Sequence, residues 1–140
     1  MFWDTSAIIP VLLPEPRSVV LVEAIAADRE VTLWWGTPVE CLSAIYRRHR
    51  EAAVPGPLLT GALARLRALV EDADAVAPTD EVRRRAGRLV AAHPLRAADA
   101  LQLGAALVWC EEQSHGEAFA CLDERLREAA RREGFALIPE

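Results

Sequence analysis

Apolar positions along the chain follow two alternating rhythms, short β-branched or aromatic runs and longer stretches at helical spacing. Met1-Phe2-Trp3 is a short apolar entry ending at Asp4, and Thr5-Ser6 is placed to cap a helix running toward Leu13. Pro14-Glu15-Pro16 breaks the chain, and from Arg17 to Asp28 residues such as Val20 and Ile25 recur at helical spacing. Val31 to Trp35 is β-branched and aromatic, is bounded by Gly36, and predicts a strand. Thr37-Pro38-Val39-Glu40 has the pattern of a capping box with proline at the first helical position, opening a helix to about Arg50. Beyond the loop Val54-Pro55-Gly56-Pro57, the residues Leu58, Leu59, Leu63, Leu66 and Leu69 supply the stripe of a long helix.

The second half continues the alternation. Ala75-Val76-Ala77 predicts a short strand, and Thr79-Asp80-Glu81-Val82 starts a helix ending near His93-Pro94. A helix rich in small residues follows from Ala97 to Glu111. Ala118 to Leu122 is a strand, Asp123 to Glu133 a helix with Gly134 as its C-cap, and Phe135 to Ile138 a last strand. Strands alternating with helices of this length predict a mostly parallel sheet covered on both faces, a three-layer α/β/α sandwich. No repeat or Gly/Ser linker divides the 140 residues, so one domain over 1–140 is expected.

Charge then narrows the chemistry. The net charge is -5, all sixteen basic residues are arginine, and lysine and asparagine are absent from the sequence. A P-loop, which needs its lysine on the phosphates, is excluded, as are Schiff-base and pyridoxal chemistry. Phosphoryl-transfer folds that set a lysine beside an acidic site are excluded too. Cys41, Cys110 and Cys121 form no CxxC and sit in apolar surroundings, which predicts reduced, buried thiols of a cytosolic protein. Met-Phe-Trp-Asp has no basic leader character, and the apolar run Ala7–Leu13 is interrupted by Pro10 and too short to cross a bilayer. A cytoplasmic protein without membrane attachment is expected.

In an open α/β sheet, ligands bind beyond the carboxyl ends of the strands. Asp4 ends the first strand, Glu40 lies in the first helical turn after the second, and Asp123 follows Phe119-Ala120-Cys121-Leu122. All three therefore belong on one rim. Asp99 shares its helical face with Leu103 and Ala106, so its carboxylate is expected half-buried and in need of a partner. Four carboxylates on one rim repel one another, and hard oxygen ligands without histidine or cysteine favour Mg²⁺ or Mn²⁺ over zinc. Such an ion activates water and clamps a scissile phosphate. Each acid also has a plainer reading. Asp4 and Asp123 suit helix N-caps, Glu40 the acid of a capping box, and Asp99 an ion pair with Arg96.

The ordered set Met1-Phe2-Trp3-Asp4-Thr5-Ser6-Ala7, the helix start at Glu40, Leu95-Arg96-Ala97-Ala98-Asp99-Ala100-Leu101-Gln102-Leu103 and Cys121-Leu122-Asp123-Glu124-Arg125-Leu126 resembles the PIN-domain nucleases. Within that family it is similar to the VapC-type toxins of bacterial toxin–antitoxin pairs, over essentially the whole chain. The resemblance implies that Asp4, Glu40, Asp99 and Asp123 are an acidic quartet binding Mg²⁺, with Mn²⁺ as substitute. It implies that Thr5 or Ser6 is the hydroxyl beside the first acid. It also implies hydrolysis of RNA by an activated water, a cognate antitoxin whose C-terminal segment covers the site, and homodimerisation. A housekeeping RNA-processing nuclease and a catalytically idle scaffold that binds only a partner are the alternatives.

Arginines cluster at Arg47-Arg48-His49-Arg50, at Arg83-Arg84-Arg85 with Arg88, and from Arg125 to Arg132. Glu124, Glu128 and Glu133 interleave the last cluster, which reads as a solvated helix face. Arg47, shortly beyond Glu40, is the better candidate for holding a phosphate. His49, His93 and His115 show no metal-ligand spacing. Trp34 and Trp35 are expected on opposite faces of the sheet, one in the core and the other under a helix or a partner.

Overall fold

Phe2 and Trp3 form the central strand of the sheet, and their two side chains enter different cores. The computed structural model describes residues 1–13 and 18–140. Its elements run β1 (Phe2–Trp3), α1 (Thr5–Leu12), α2 (Val19–Ala27), β2 (Thr32–Trp34), α3 (Thr37–Arg50), α4 (Gly56–Asp72), β3 (Asp74–Val76), α5 (Asp80–Ala92), α6 (Ala97–Trp109), β4 (Ala118–Ala120), α7 (Glu124–Arg132) and β5 (Ala136–Ile138). The strands form one parallel sheet in the order β3-β2-β1-β4-β5, with Phe2 level with Thr32 and Phe119, and Trp3 level with Leu33 and Ala120.

Alternation along the strands builds the layers. Phe2, Trp34 and Phe119 pack with Val82 and Leu89 of α5, Leu103 of α6 and Leu126 of α7. Trp3, Leu33 and Ala120 pack with Ile8 and Leu12 of α1, Leu21 of α2, Ile45 of α3 and Leu66 of α4. The inner strands are apolar on both faces, as a parallel sheet covered on both sides requires. This is the expected three-layer α/β/α sandwich.

The small residues of α6 have a packing reason. A Cβ on Gly104 would sit 3.0 Å from the Ala86 backbone nitrogen and 3.1 Å from the Val82 carbonyl oxygen of α5. Even a methyl group here would push the two backbones apart by a few tenths of an ångström. The same contact sets the depth of α6, whose first turn carries Asp99. At the other end of the fold Gly134 takes φ +100 after α7, the left-handed conformation expected of its C-cap role.

Several local expectations are corrected. The box at Thr37–Glu40 does not form: Gly36 is the N-cap of α3 without a side-chain cap bond, the Thr37 hydroxyl turns to Gln102, and Glu40 accepts from Thr5. Asp4, rather than Thr5 or Ser6, caps α1, and Pro10 is accommodated inside it. Leu58 is 51% exposed because α4 buries Ala62 and Leu66 instead. On α2 the buried position is Leu21, and Val20 faces outward at 54%. The strands are shorter at their ends than their apolar runs, since pairing stops where neighbours turn away. The break at Pro14-Glu15-Pro16 and the helix start at Arg17 lie outside the described residues. No helix among the described residues is long and apolar enough to cross a membrane.

Candidate active site

Four helices begin at the carboxyl end of the sheet, and each brings one acid in or beside its first turn. Asp4 is the N-cap of α1 and Asp123 the N-cap of α7. Glu40 lies in the first turn of α3 and Asp99 in the first turn of α6. All four line one cleft of about 750 Å³, together with Thr5, Ser6, Arg47 and Arg48. Asp99 is therefore an N-terminal acid, half-buried as expected, and not an acid in the middle of a helix. Helix N-termini carry partial positive charge, so this placement offsets part of the repulsion among the four carboxylates.

Hydrogen bonds fix three of these acids through one oxygen each. Asp4 Oδ2 accepts from the Ser6 N–H at 2.8 Å and the Ser6 hydroxyl at 2.5 Å, with Cys121 Sγ donating at 3.6 Å. Glu40 Oε2 accepts from Thr5 Oγ1 at 2.7 Å and Gln102 Nε2 at 3.0 Å. Asp123 Oδ1 accepts from the N–H groups of Arg125 and Leu126, both at 3.0 Å. Among the described residues, the second oxygen of each carboxylate takes no such bond. Capping and metal binding are thus compatible at Asp4 and Asp123, because each role uses a different oxygen.

Burial sets the electrostatics. Desolvation pushes the Asp4 carboxyl up to about 6, Ser6 pulls it back, and the charge of Glu40 adds to the rise. Burial also raises Asp99, followed by the charge of Asp123, while the backbone and guanidinium of Arg96 oppose it. Burial, then Glu40 and Asp4, push the Cys41 thiol up to about 12, and burial with Asp4 raises Cys121 as well. Both cysteines are free, buried and protonated at neutral pH, unsuited to act as nucleophile or metal ligand.

The donor set fits a hard divalent cation. Among the described residues, no three His, Cys, Asp or Glu side chains are drawn together as a ready-made cage. Mg²⁺ does not need one, since it keeps several waters and binds through one or two carboxylates and substrate phosphates. Open carboxylate oxygens in one cleft, with neutral thiols, suit that ion and Mn²⁺ and do not suit zinc.

Other sequence candidates separate cleanly. Arg47 lines the cleft about two helical turns after Glu40. Most of the outer arginines are paired: Arg83 with Asp80, Arg85 with Glu81 and Glu112, Arg88 with Glu133, and Arg131 and Arg132 with Glu128. Arg127 departs from the solvated face expected of α7, for it is 9% exposed and donates to the carbonyls of Cys121 and Pro139. His93 contacts Glu133 at 2.7 Å, His49 contacts the Val54 carbonyl, and neither reaches the cleft. Trp34 is buried, whereas Trp35 is 61% exposed. Gln102 is a further residue of the site not singled out by the sequence motifs; its signal is a polar residue one helical turn after Asp99 and followed by an apolar run.

No curated protein matches the chain. The family model of the PIN domain matches residues 1–132, which takes in all four acids and every element except β5. PIN domains are generally nucleases and usually use divalent metal ions. With a match of this extent, and with its parallel five-stranded sheet flanked by helices, the chain belongs to the PIN-domain family.

Proposed function

We propose that the protein is a Mg²⁺-dependent endoribonuclease of the VapC type, the toxin of a toxin–antitoxin pair, with Mn²⁺ able to replace Mg²⁺. The observation that carries this reading is the single cleft lined by Asp4, Glu40, Asp99 and Asp123, with Arg47 in its wall. When bound there, a divalent cation would neutralise the scissile phosphate and activate water. The chain's own residues would do the rest. Asp4, Glu40, Asp99 and Asp123 would hold the ion, one or two of them directly and the others through its waters, by carboxylate oxygens left free of hydrogen bonds. Thr5 and Ser6, the hydroxyls beside the first acid and candidates for touching substrate, would act mainly by aligning Glu40 and Asp4, because their hydroxyls are bonded to those acids. Arg47 would hold a flanking phosphate through its guanidinium.

The antitoxin, and a second copy of the chain as homodimer partner, are supported by exposed apolar side chains. Val39, Leu42 and Tyr46 recur at helical spacing along α3, Trp35 stands out from the turn before it, and Val19, Val20 and Val22 stand out from α2. A single domain over 1–140 is supported by β5, which pairs with β4 beyond the family match. The free thiols fit a cytoplasmic location. The test is cleavage of a structured RNA and of DNA of the same sequence, with Mg²⁺, Mn²⁺ or EDTA. RNA cut internally with either cation and spared in EDTA is the expected result. Folded protein that cuts no RNA with either cation contradicts the reading and leaves a scaffold that binds only a partner.

A further inference from the structure

Gln102 stands almost wholly inside α6, 1% exposed, between Leu101 and Leu103. A buried amide costs stability unless its hydrogen bonds are made. Here its Nε2 lies 3.0 Å from Thr5 Oγ1, 3.2 Å from Thr37 Oγ1 and 3.0 Å from Glu40 Oε2. The amide nitrogen has two protons for these three oxygens. Thr37 can turn its hydroxyl to donate to Gln102 Oε1 at 3.5 Å. Thr5 spends its own proton on Glu40 Oε2 at 2.7 Å and so accepts from the amide. The two shortest contacts, both 3.0 Å, take the amide protons to Thr5 and Glu40, with Thr37 at 3.2 Å a weaker third acceptor. The opposite amide orientation would set Oε1 against the Glu40 carboxylate, acceptor against acceptor. The result is a closed ring: Gln102 donates to Thr5 and Glu40, and Thr5 donates to Glu40. Among the described residues no buried side-chain polar atom is left without a partner.

We propose that Gln102 is a positioning residue for the cation site, a buried brace that locks the Glu40 carboxylate through Oε2 and leaves Oε1 to the cleft. The inference rests on the metal-dependent nuclease reading. One helix then serves two acids, carrying Asp99 in its first turn and, one turn later, the brace for Glu40 on α3. Nothing in the apolar packing around Leu103 and Ala106 calls for an amide at this position; its oxygen partners do.

The test is Mn²⁺ binding by calorimetry on the metal-free full chain, with RNA cleavage and thermal unfolding alongside. Gln102→Met keeps length and volume and removes both donors. Its Mn²⁺ affinity and kcat should fall by roughly tenfold or more, the usual size of an outer-shell effect, with KM for RNA little changed. In a Glu40→Ala background the same substitution should leave Mn²⁺ affinity nearly unaltered, because a brace without its carboxylate has nothing to hold. Gln102→Asn, whose shorter amide falls out of reach of Glu40, should lose affinity like Gln102→Met and serves if the thioether is not accommodated. Wild-type Mn²⁺ affinity in both variants, or an undiminished effect in the Glu40→Ala background, overturns the brace while the nuclease reading stands. Wild-type protein that binds no Mn²⁺ overturns both.

Discussion

The Ser6 hydroxyl joins two acids that are distant in sequence: it donates to Asp4 at 2.5 Å and accepts the backbone N–H of Asp123 at 3.2 Å. It also accepts the Leu122 N–H at 2.8 Å, so the end of β1 and the turn into α7 are tied at one oxygen. Ser6→Ala leaves two backbone N–H groups without that acceptor and removes the hydroxyl bond to Asp4, whose Oδ2 keeps the backbone N–H of residue 6. Unfolding free energy should drop by about 1–3 kcal/mol, and Mn²⁺ affinity should fall with it. Chemical denaturation and a Mn²⁺ titration of the same variant check both parts.

The raised Asp4 carboxyl gives the metal-free protein a definite pH dependence. Its folded value, about 6, exceeds the ordinary aspartate value of 3.8, so between these pH values the folded state binds the proton more tightly. Stability from this group is therefore present at low pH and lost as pH rises through about 6, with at most about 3 kcal/mol at stake. Asp99 acts in the same direction. In EDTA the melting temperature should rise as pH is lowered from 7 toward 5, and Asp4→Asn should flatten that slope. With Mg²⁺ present the gain in melting temperature should be larger at pH 7.5 than at pH 5, because the ion competes with the proton.

Much of this fold is legible in the residues themselves. The rule that ligands gather beyond the carboxyl ends of parallel strands places Asp4, Glu40 and Asp123 on one rim before any coordinates, because each lies just past a strand or in the helix that follows. The bonding is less legible. Thr37 and Glu40 have the spacing of a capping box, yet Glu40 bonds to Thr5, 35 positions away, and Thr37 to Gln102. A local pattern lost to long-range partners, which only tertiary structure supplies. Arg127 hid for a similar reason: its charge fits an exposed face, but the carbonyls of Cys121 and Pro139 satisfy it inside.

Gly104 holds α6, and with it Asp99 and Gln102, against α5. A leucine there would drive carbons into the backbone of Ala86 and Val82. Gly104→Leu should cost about 1–3 kcal/mol or more through overpacking, read as a lowered denaturation midpoint, and should weaken Mn²⁺ binding by displacing the first turn of α6.

Arg47 offers a cleaner separation of binding from chemistry. Arg47 lines the cleft, and in the proposed reading the acids, not Arg47, hold the ion. Arg47→Ala should raise KM for RNA, reduce the salt dependence of binding by about one phosphate contact, and leave Mn²⁺ affinity unchanged. Cleavage kinetics across a salt series measure the first two effects.

The most direct test of the central claim is RNA cleavage by Asp99→Asn. Asp99 is half-buried and is neither an N-cap nor a core residue, so the variant should fold with a melting temperature equal to or above that of the wild type. Cleavage with Mg²⁺ or Mn²⁺ should fall by more than about 100-fold, beyond the range typical of outer-shell changes. A folded Asp99→Asn protein that cuts RNA at the wild-type rate would contradict the assignment of this cleft as the metal-dependent nuclease site.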